Sequence, residues 1–380
     1  MNTLEELRYL TSQMELEPAE DYQCPTKFHP KEDDIFVLNA KLPNGRQIRL
    51  LKTLLTSACE QHCNYCPFRA GRNYRRATLK PDEMAQVFMT AHRAGLVQGL
   101  FLSSALAGGG VRTQDRIIST AEIVRQKYQF KGYLHLKLMP GSERAQVERT
   151  MQLADRVSLN LEAPNTHRLN QLAPEKHFTD QIIQPLRWME EIRQTLDPCF
   201  GWRGHWPSMT TQFVVGAVGE SDQELLSTTL ELHRTVRLAR AYFSRFSPAS
   251  DTPFENLPPT PPTREHRLYQ ASYLLRDYGF DLEEIPFQTD GNLDLSIDPK
   301  TSYAKSRLAE SPIEINQADR RDLLRVPGIG PKTANKILKT RKQNKFYRIE
   351  ELYKIGVNSD RAAPFILING KQPTCQITFW

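Results

Sequence analysis

Residues 47–66 read QIRLLKTLLTSACEQHCNYC, an apolar run that passes straight into three cysteines. Ahead of it stand a second apolar run, 35–42, and the turn Pro43-Asn44-Gly45-Arg46. Asn-Gly between apolar runs predicts a hairpin, because both residues accept positive φ. The second arm of that hairpin delivers the cysteine loop from the C-terminal end of a strand.

Downstream, strand-like apolar runs alternate with amphipathic helical stretches. The helical stretch 80–94 precedes the run 99–104, 113–128 precedes 133–139, and 142–153 precedes 157–162. In the same way 179–196 precedes 211–218, and 221–236 precedes 241–247. Strands separated by helices of this length imply right-handed crossovers and a parallel sheet. About six units are too few for a closed eight-fold barrel, so the pattern predicts an α/β fold, a partial (β/α)6 TIM-like barrel. Chemistry in such folds lies at the C-terminal ends of the strands, where the cysteine loop falls. Residues 251–263 (DTPFENLPPTPPT) hold five prolines and close that body. A helix over 264–278 and a short strand over 281–287 are expected to lean back on the barrel, and 288–311 reads as a polar linker. The expected organisation is an N-terminal extension with a hairpin arm (1–49), the barrel (50–255), a capping segment and linker (256–310), and a small all-α domain (311–380).

Composition limits the function classes. The chain has 380 residues, 39% hydrophobic and 25% charged, as expected of a protein with a real core. No apolar run nears the length that spans a bilayer, and the N-terminal MNTLEELRYL has no secretory character, so a soluble, cytoplasmic protein is expected. Six cysteines in such a chain make no disulfide framework. Cys24, Cys199 and Cys375 are scattered and read as ordinary cysteines. The net charge of +6 is uneven: residues 301–380 carry fifteen basic and seven acidic side chains, and the rest of the chain is nearly neutral. A basic tail on a neutral body suggests a polyanionic partner, although a solvated charged surface would look alike.

The cysteines, Cys59-Glu60-Gln61-His62-Cys63-Asn64-Tyr65-Cys66, have the spacing C-x3-C-x2-C. Thiolates so close can converge on one inorganic centre. Iron–sulfur clusters normally take four cysteines. With three, one iron stays open to a substrate, as a catalytic zinc keeps an open position. A Cys3His zinc site would need His62, which adjoins Cys63 and is badly placed to complete the same tetrahedron. No second C-x2-C pair follows, as a ribbon or finger would require.

This C-x3-C-x-aromatic-C loop after a first strand, followed by βα units, resembles the radical S-adenosylmethionine superfamily over residues 50–255. The resemblance implies that Cys59, Cys63 and Cys66 hold a 4Fe–4S cluster. It further implies that S-adenosyl-L-methionine chelates the open iron, and that one electron, from a donor such as flavodoxin or ferredoxin, yields a 5′-deoxyadenosyl radical. Tyr65 would lie beside the adenine. The superfamily's Gly-Gly-Glu-like turn after strand two is here Leu102-Ser103-Ser104, with Gly108-Gly109-Gly110 later and no Glu. Ser103 and Ser104 are the nearest substitutes for its contact with the methionine amine.

Strand four alternates Ser158, Asn160 and Glu162 against Leu159 and Leu161. A polar row on a buried parallel strand is costly unless it meets a ligand or lines a wet barrel mouth. By resemblance this face contacts ribose and methionine. Strand three sets Tyr133, His135 and Lys137 on one face, and His135 and Lys137 are the catalytic candidates on the substrate side, with a satisfied structural role equally open. The turn Val215-Gly216-Ala217-Val218-Gly219-Glu220 resembles the glycine-rich adenine motif through Gly216 and Gly219, although glycines at strand ends often serve only the turn. Phe246-Ser247-Pro248 resembles the strand-six segment.

In the tail, Pro327-Gly328-Ile329-Gly330 is a turn and Pro331 opens a helix where a missing N–H costs nothing. Gly328 and Gly330 allow close approach of a phosphate to the helix N-terminus, with Lys332, Lys336 and Lys339 adding charge. This segment resembles the helix-hairpin-helix family of sequence-independent nucleic-acid binders. Leu352-Tyr353-Lys354-Ile355-Gly356-Val357 looks like a second, degenerate hairpin, so a tandem module is expected over 311–370. The resemblance implies backbone contacts from Gly328, Ile329, Gly330, Lys332, Thr333 and Lys336; the other reading is a hairpin used for packing or for a protein partner. Joined, the two parts resemble a family described as DNA modification or repair radical proteins. The implied activity is radical chemistry on a nucleotide in DNA. The alternatives are an RNA-modifying radical enzyme, and a non-catalytic iron–sulfur protein that binds nucleic acid or recruits a repair enzyme.

Overall fold

A computed structural model describes residues 3–14, 37–41 and 45–373, which fall into two units. The first joins Met1–Glu220 to Glu231–Thr260. Its centre is a curled, seven-stranded half-barrel sheet whose strands lie side by side in chain order. They are β1 (Val37–Lys41), β2 (Gln47–Leu54), β3 (Gly99–Ser103), β4 (Tyr133–Lys137), β5 (Arg156–Ser158), β6 (Ser208–Val215) and β7 (Arg240–Arg245). β1 runs antiparallel to β2, with Val37 opposite Leu51, and each later pair is parallel. The expected hairpin and the six parallel strands are thus both present; turn residues 42–44 lie outside the described residues.

Helices fill the crossovers: α2 (Pro81–Arg93), α3 (Gly109–Glu122), α4 (Arg144–Leu153), α5 (Thr166–Leu172), α6 (Gln184–Thr195) and α7 (Asp222–Val236), with α1 (Thr3–Ser12) ahead of the sheet. α2 shows how the sequence builds them. Pro81 stands where no N–H is needed, Glu83 accepts the Lys80 amide at 2.8 Å, and Met84 and Phe88 bury one turn apart. β5 is shorter than the expected run 157–162. Past Ser158 the ladder loosens: the Leu161 amide turns to Thr211 Oγ1 at 3.1 Å, and Glu162 adopts a φ of 66°. Glu162 still bridges Phe213 in the parallel sense.

The second unit joins Ser221–Leu230 to Pro261–Trp380. It begins with α8 (Pro262–Asp277). Where a strand was expected over 281–287, a 3-10 turn forms at Leu282–Glu284, because Glu284 folds back to accept the Asp281 amide at 2.9 Å. The expected linker contains α9 (Pro299–Arg307), capped by Asp298, which accepts the Thr301 amide at 3.1 Å. An Asp-Pro pair at a helix start is the signal that polar composition concealed. Then follow β8 (Ile313–Glu314), α10 (Arg320–Arg325), α11 (Pro331–Arg341), α12 (Ile349–Lys354), α13 (Ser359–Ala362) and β9 (Ile366–Leu367), which pairs parallel with β8. Ile315, Leu323, Ile337, Phe346 and Leu352 form their shared core. Among the described residues no helix is long and apolar enough to cross a membrane.

Candidate radical centre and tail module

The cysteine loop leaves β2 at the carboxyl end of the sheet and is tied down on several sides. The Glu60 amide donates to Leu106 O at 2.9 Å, and Asn64 N to Leu172 O at 2.8 Å. The Tyr74 hydroxyl donates to Ser57 O at 2.5 Å, and the Arg76 guanidinium stacks 4.3 Å from the Tyr74 ring centroid. Cys63 is buried, and Cys59 and Cys66 are partly so. Burial pushes the Cys63 thiol up to about 11, with the Lys176 ammonium pulling the other way. Burial, then the charge of Cys63, pushes Cys66 higher still. Thiols so disposed share one small volume and become thiolates when a metal centre supplies positive charge. Among the described residues no three His, Cys, Asp or Glu side chains converge on one point as a single ion would demand. A four-iron cluster makes no such demand, since each thiolate takes a different iron, and this loop fits it.

Beside the cysteines lies a buried charged group that spans two elements. Lys176, on the loop after α5, reaches Glu162 Oε1 at 2.9 Å, with side chains 9% and 6% exposed. Burial alone would raise the Glu162 carboxyl; Lys176, with Lys137 and the Tyr65 hydroxyl, outweighs it and holds Glu162 below the usual range. Burial and the Glu162 charge raise Tyr65 well above an ordinary phenol. Lys137, buried at the end of β4, is pushed down to about 7 by burial, against the pull of Glu162 and with the push of Lys176. Cys63, Cys66, Tyr65, Glu162 and Lys137 thus share one electrostatic neighbourhood. Lys176 belongs to it and lay outside the sequence reading, because it sits on a loop with no motif around it.

The other predicted residues sort by depth. His135 Nε2 and Ser158 Oγ stand 2.8 Å apart, and the His135 ring meets Phe101 edge-on at 4.5 Å. His135 is fully buried and lies two residues, roughly 7 Å, deeper along β4 than Lys137. It therefore shares the Ser158 hydroxyl rather than facing the cysteine loop directly. Asn160 lines a narrow, nearly filled cleft with Lys137, Ser158 and Gln212. Ser103 is buried at the end of β3, and Ser104 Oγ donates to Ala105 O at 2.8 Å. Glu60, on the cysteine loop, accepts the amides of Gly108 at 3.0 Å and Gly109 at 2.6 Å, where α3 begins. Gly216 has a φ of 93°, and a Cβ there would stand 2.0 Å from Thr260 Oγ1, so the position excludes any side chain. Glu220 closes the turn by accepting the Gly216 and Val218 amides. The Arg168 guanidinium lies 3.7 Å from where a Gly219 Cβ would be.

In the tail, α10 and α11 form the expected hairpin. Gly328 has a φ of 83° and packs on the second turn, where the Asn358 amide donates to Gly328 O at 3.1 Å. α12, the turn at Gly356 and α13 form that second hairpin. Thr333 Oγ1 accepts the Gly330 amide at 2.7 Å and caps α11. Lys332 is exposed, while Lys336 Nζ donates to Ile355 O at 3.2 Å. The side chain of Ile329 is 1% exposed and belongs to the module's core, so only its backbone could meet a ligand. Of the scattered cysteines, Cys199 is exposed on a 3-10 turn; Cys24 and Cys375 lie outside the described residues.

Residues 53–229 match the family model of the radical SAM superfamily, and residues 309–357 that of the helix-hairpin-helix motif. Among solved structures, the FeFe-hydrogenase maturase HydG from Carboxydothermus hydrogenoformans is 14% identical, with a TM-score of 0.47, over 60% of this chain and 51% of its own. Methylornithine synthase, PylB, is 14% identical, with a TM-score of 0.46, over 60% of this chain and 61% of its own. A radical SAM methyltransferase from Sphaerobacter thermophilus is 14% identical, with a TM-score of 0.44, over 62% of this chain and 69% of its own. The chain thus spans about half to two thirds of the length of these structures. No curated protein matches the chain.

Proposed function

Given that the chain belongs to the radical S-adenosylmethionine superfamily, whose enzymes use a 4Fe–4S cluster and S-adenosyl-L-methionine, we propose that it modifies or repairs a nucleotide in DNA. The observation that carries this reading is the pairing, in one chain, of the three-cysteine loop with a basic helix-hairpin-helix module. When bound, the cluster and S-adenosyl-L-methionine would supply radical hydrogen-abstraction chemistry. Every other task falls to the chain.

Cys59, Cys63 and Cys66 would hold the cluster. Tyr65, Ser103, Ser104, Asn160, Glu162 and the turn from Gly216 to Gly219 form the wall against which the cofactor is placed. Lys137 sits at the mouth of the polar cleft, and its depressed proton affinity suits it to give or take a proton at Nζ near neutral pH. His135 acts through Ser158, fixing that hydroxyl beneath the cofactor wall. Gly328, Gly330, Lys332, Thr333 and Lys336 grip the phosphodiester backbone, which fixes position and carries no base preference. A flavodoxin or ferredoxin supplies the electron.

Anaerobic reconstitution, followed by an assay for 5′-deoxyadenosine with duplex DNA, RNA or no polymer, tests the reading. Stimulation by DNA is the expected result. Stimulation by RNA alone would move the substrate to RNA, and indifference to both polymers would defeat the proposal.

A further inference from the structure

Residues 171–176 strap the cysteine loop from one side and carry a cation inward beside it. The Asn64 amide and side chain donate to Leu172 O and Gln171 O, each at 2.8 Å. The Glu175 carboxylate takes the His62 amide at 3.1 Å and meets His62 Nδ1 at 2.7 Å. One residue on, Lys176 turns inward to Glu162, and both are buried. The strap therefore fixes where the ammonium stands relative to the thiols.

Glu162 is fixed just as firmly from the sheet. Its amide donates to Gln212 O at 3.0 Å, and its carbonyl accepts from Val214 N at 2.8 Å. Its left-handed φ of 66° is a conformation a glutamate adopts only at a cost, so the surroundings hold it there. The two charges act on the cysteines in opposite senses. The strap that holds His62 and Asn64 carries Lys176 to the loop, and Glu162 is tied to it through its hydrogen bond with the Tyr65 hydroxyl, between Cys63 and Cys66. An iron–sulfur cluster gains one negative charge when reduced, and nearby fixed charges and burial set how readily it does so.

We infer that Lys176 and Glu162 are positioning residues that set the reduction potential of the cluster held by Cys59, Cys63 and Cys66, the ammonium raising it and the carboxylate lowering it. The reduction takes one electron from an outside one-electron reductant and moves no proton to or from either side chain. The inference rests on the chemistry of the cysteine loop and is independent of which polymer is the substrate.

The test is a mediated potentiometric titration of the full chain, reconstituted anaerobically without S-adenosylmethionine and followed by electron paramagnetic resonance. Wild type is compared with K176M, K176R and E162Q, and iron content is measured for each. At a fixed potential, K176M should lower the ratio of reduced to oxidised cluster about tenfold, which is 59 mV for one electron. E162Q should raise it by a similar factor, and K176R should stay within about threefold of wild type. Should K176M load no iron, the rise in E162Q and the neutrality of K176R decide the matter. Shifts of the same sign in K176M and E162Q, or no rise in E162Q, would overturn the inference. A pair that only braced the fold would lower iron content in both variants without moving their potentials in opposite directions.

Discussion

Replacing Lys137 with methionine should stabilise the first unit, by an amount that shrinks as pH rises. Lys137 is 6% exposed at the end of β4, and burial depresses it from an ordinary 10.5 to about 7, Glu162 pulling upward and Lys176 pushing down. A folded pKa below the unfolded one means that the unfolded chain holds this proton more tightly. Between about 7 and 10.5 the unfolded chain is charged here and the folded chain is neutral, so wild-type stability rises with pH across that window. Below it the whole cost of charging stands. At about 1.4 kcal/mol for each tenfold change in proton affinity, that cost is roughly 5 kcal/mol, and roughly 1.5 kcal/mol remains at pH ~9.5. Methionine keeps the unbranched stem and has no proton to gain. The advantage of K137M over wild type should therefore narrow by about 3 kcal/mol between pH ~6 and ~9.5. Urea unfolding of both proteins under anaerobic conditions, followed by tryptophan fluorescence, gives the comparison, since Trp188, Trp202 and Trp206 all belong to the first unit. A gap constant to within about 1 kcal/mol across that range, or one that widens with pH, would refute the reasoning.

Two further perturbations probe the frame that carries the sites. Arg125 is 4% exposed; its guanidinium donates to Leu153 O at 3.0 Å, Phe130 O at 2.9 Å, Gly132 O at 2.7 Å and Asp155 at 3.0 Å, and stacks 3.7 Å from the Trp202 centroid. Arg125→Met strands three carbonyls and leaves the Asp155 carboxylate with the Leu134 amide but no cation, and should cost about 3–5 kcal/mol in urea unfolding, with part recovered by Asp155→Asn on top of it. In the tail, Gly328→Ala places a Cβ 2.4 Å from Asn358 O at a φ of 83°. It should cost about 2 kcal/mol or more and lower the melting temperature of the second unit, while Lys332→Ala, at an exposed position, leaves that temperature unchanged.

The strand–helix alternation was legible because each crossover helix must bury one face, which writes a period of about 3.6 beside the apolar runs of a parallel sheet. Where it misled, local polar bonding overrode the pattern. The expected strand at 281–287 became a turn once Glu284 reached back to the Asp281 amide, and the supposed linker hid α9 behind its Asp298 cap. The run from Ser158 to Glu162 reads as one strand, yet the Leu161 amide leaves the ladder for Thr211 Oγ1, and Glu162, back opposite Phe213, meets Lys176.

From its residues alone, this chain declares the three-cysteine loop, the parallel half-barrel behind it and the glycine turn of the tail. These are local facts, set by spacing along a few residues or by the period of a single element. Which groups stand beside the cysteines is not local. Glu60 bonds across to the amides of Gly108 and Gly109, and Lys176 reaches Glu162 from fourteen residues away across a helix and two loops. His135, which looks free to act, shares its imidazole with Ser158 on the neighbouring strand. Such pairings arise only when the folded chain removes water from charged groups and makes each find a partner, and no spacing in the sequence records which partner that will be.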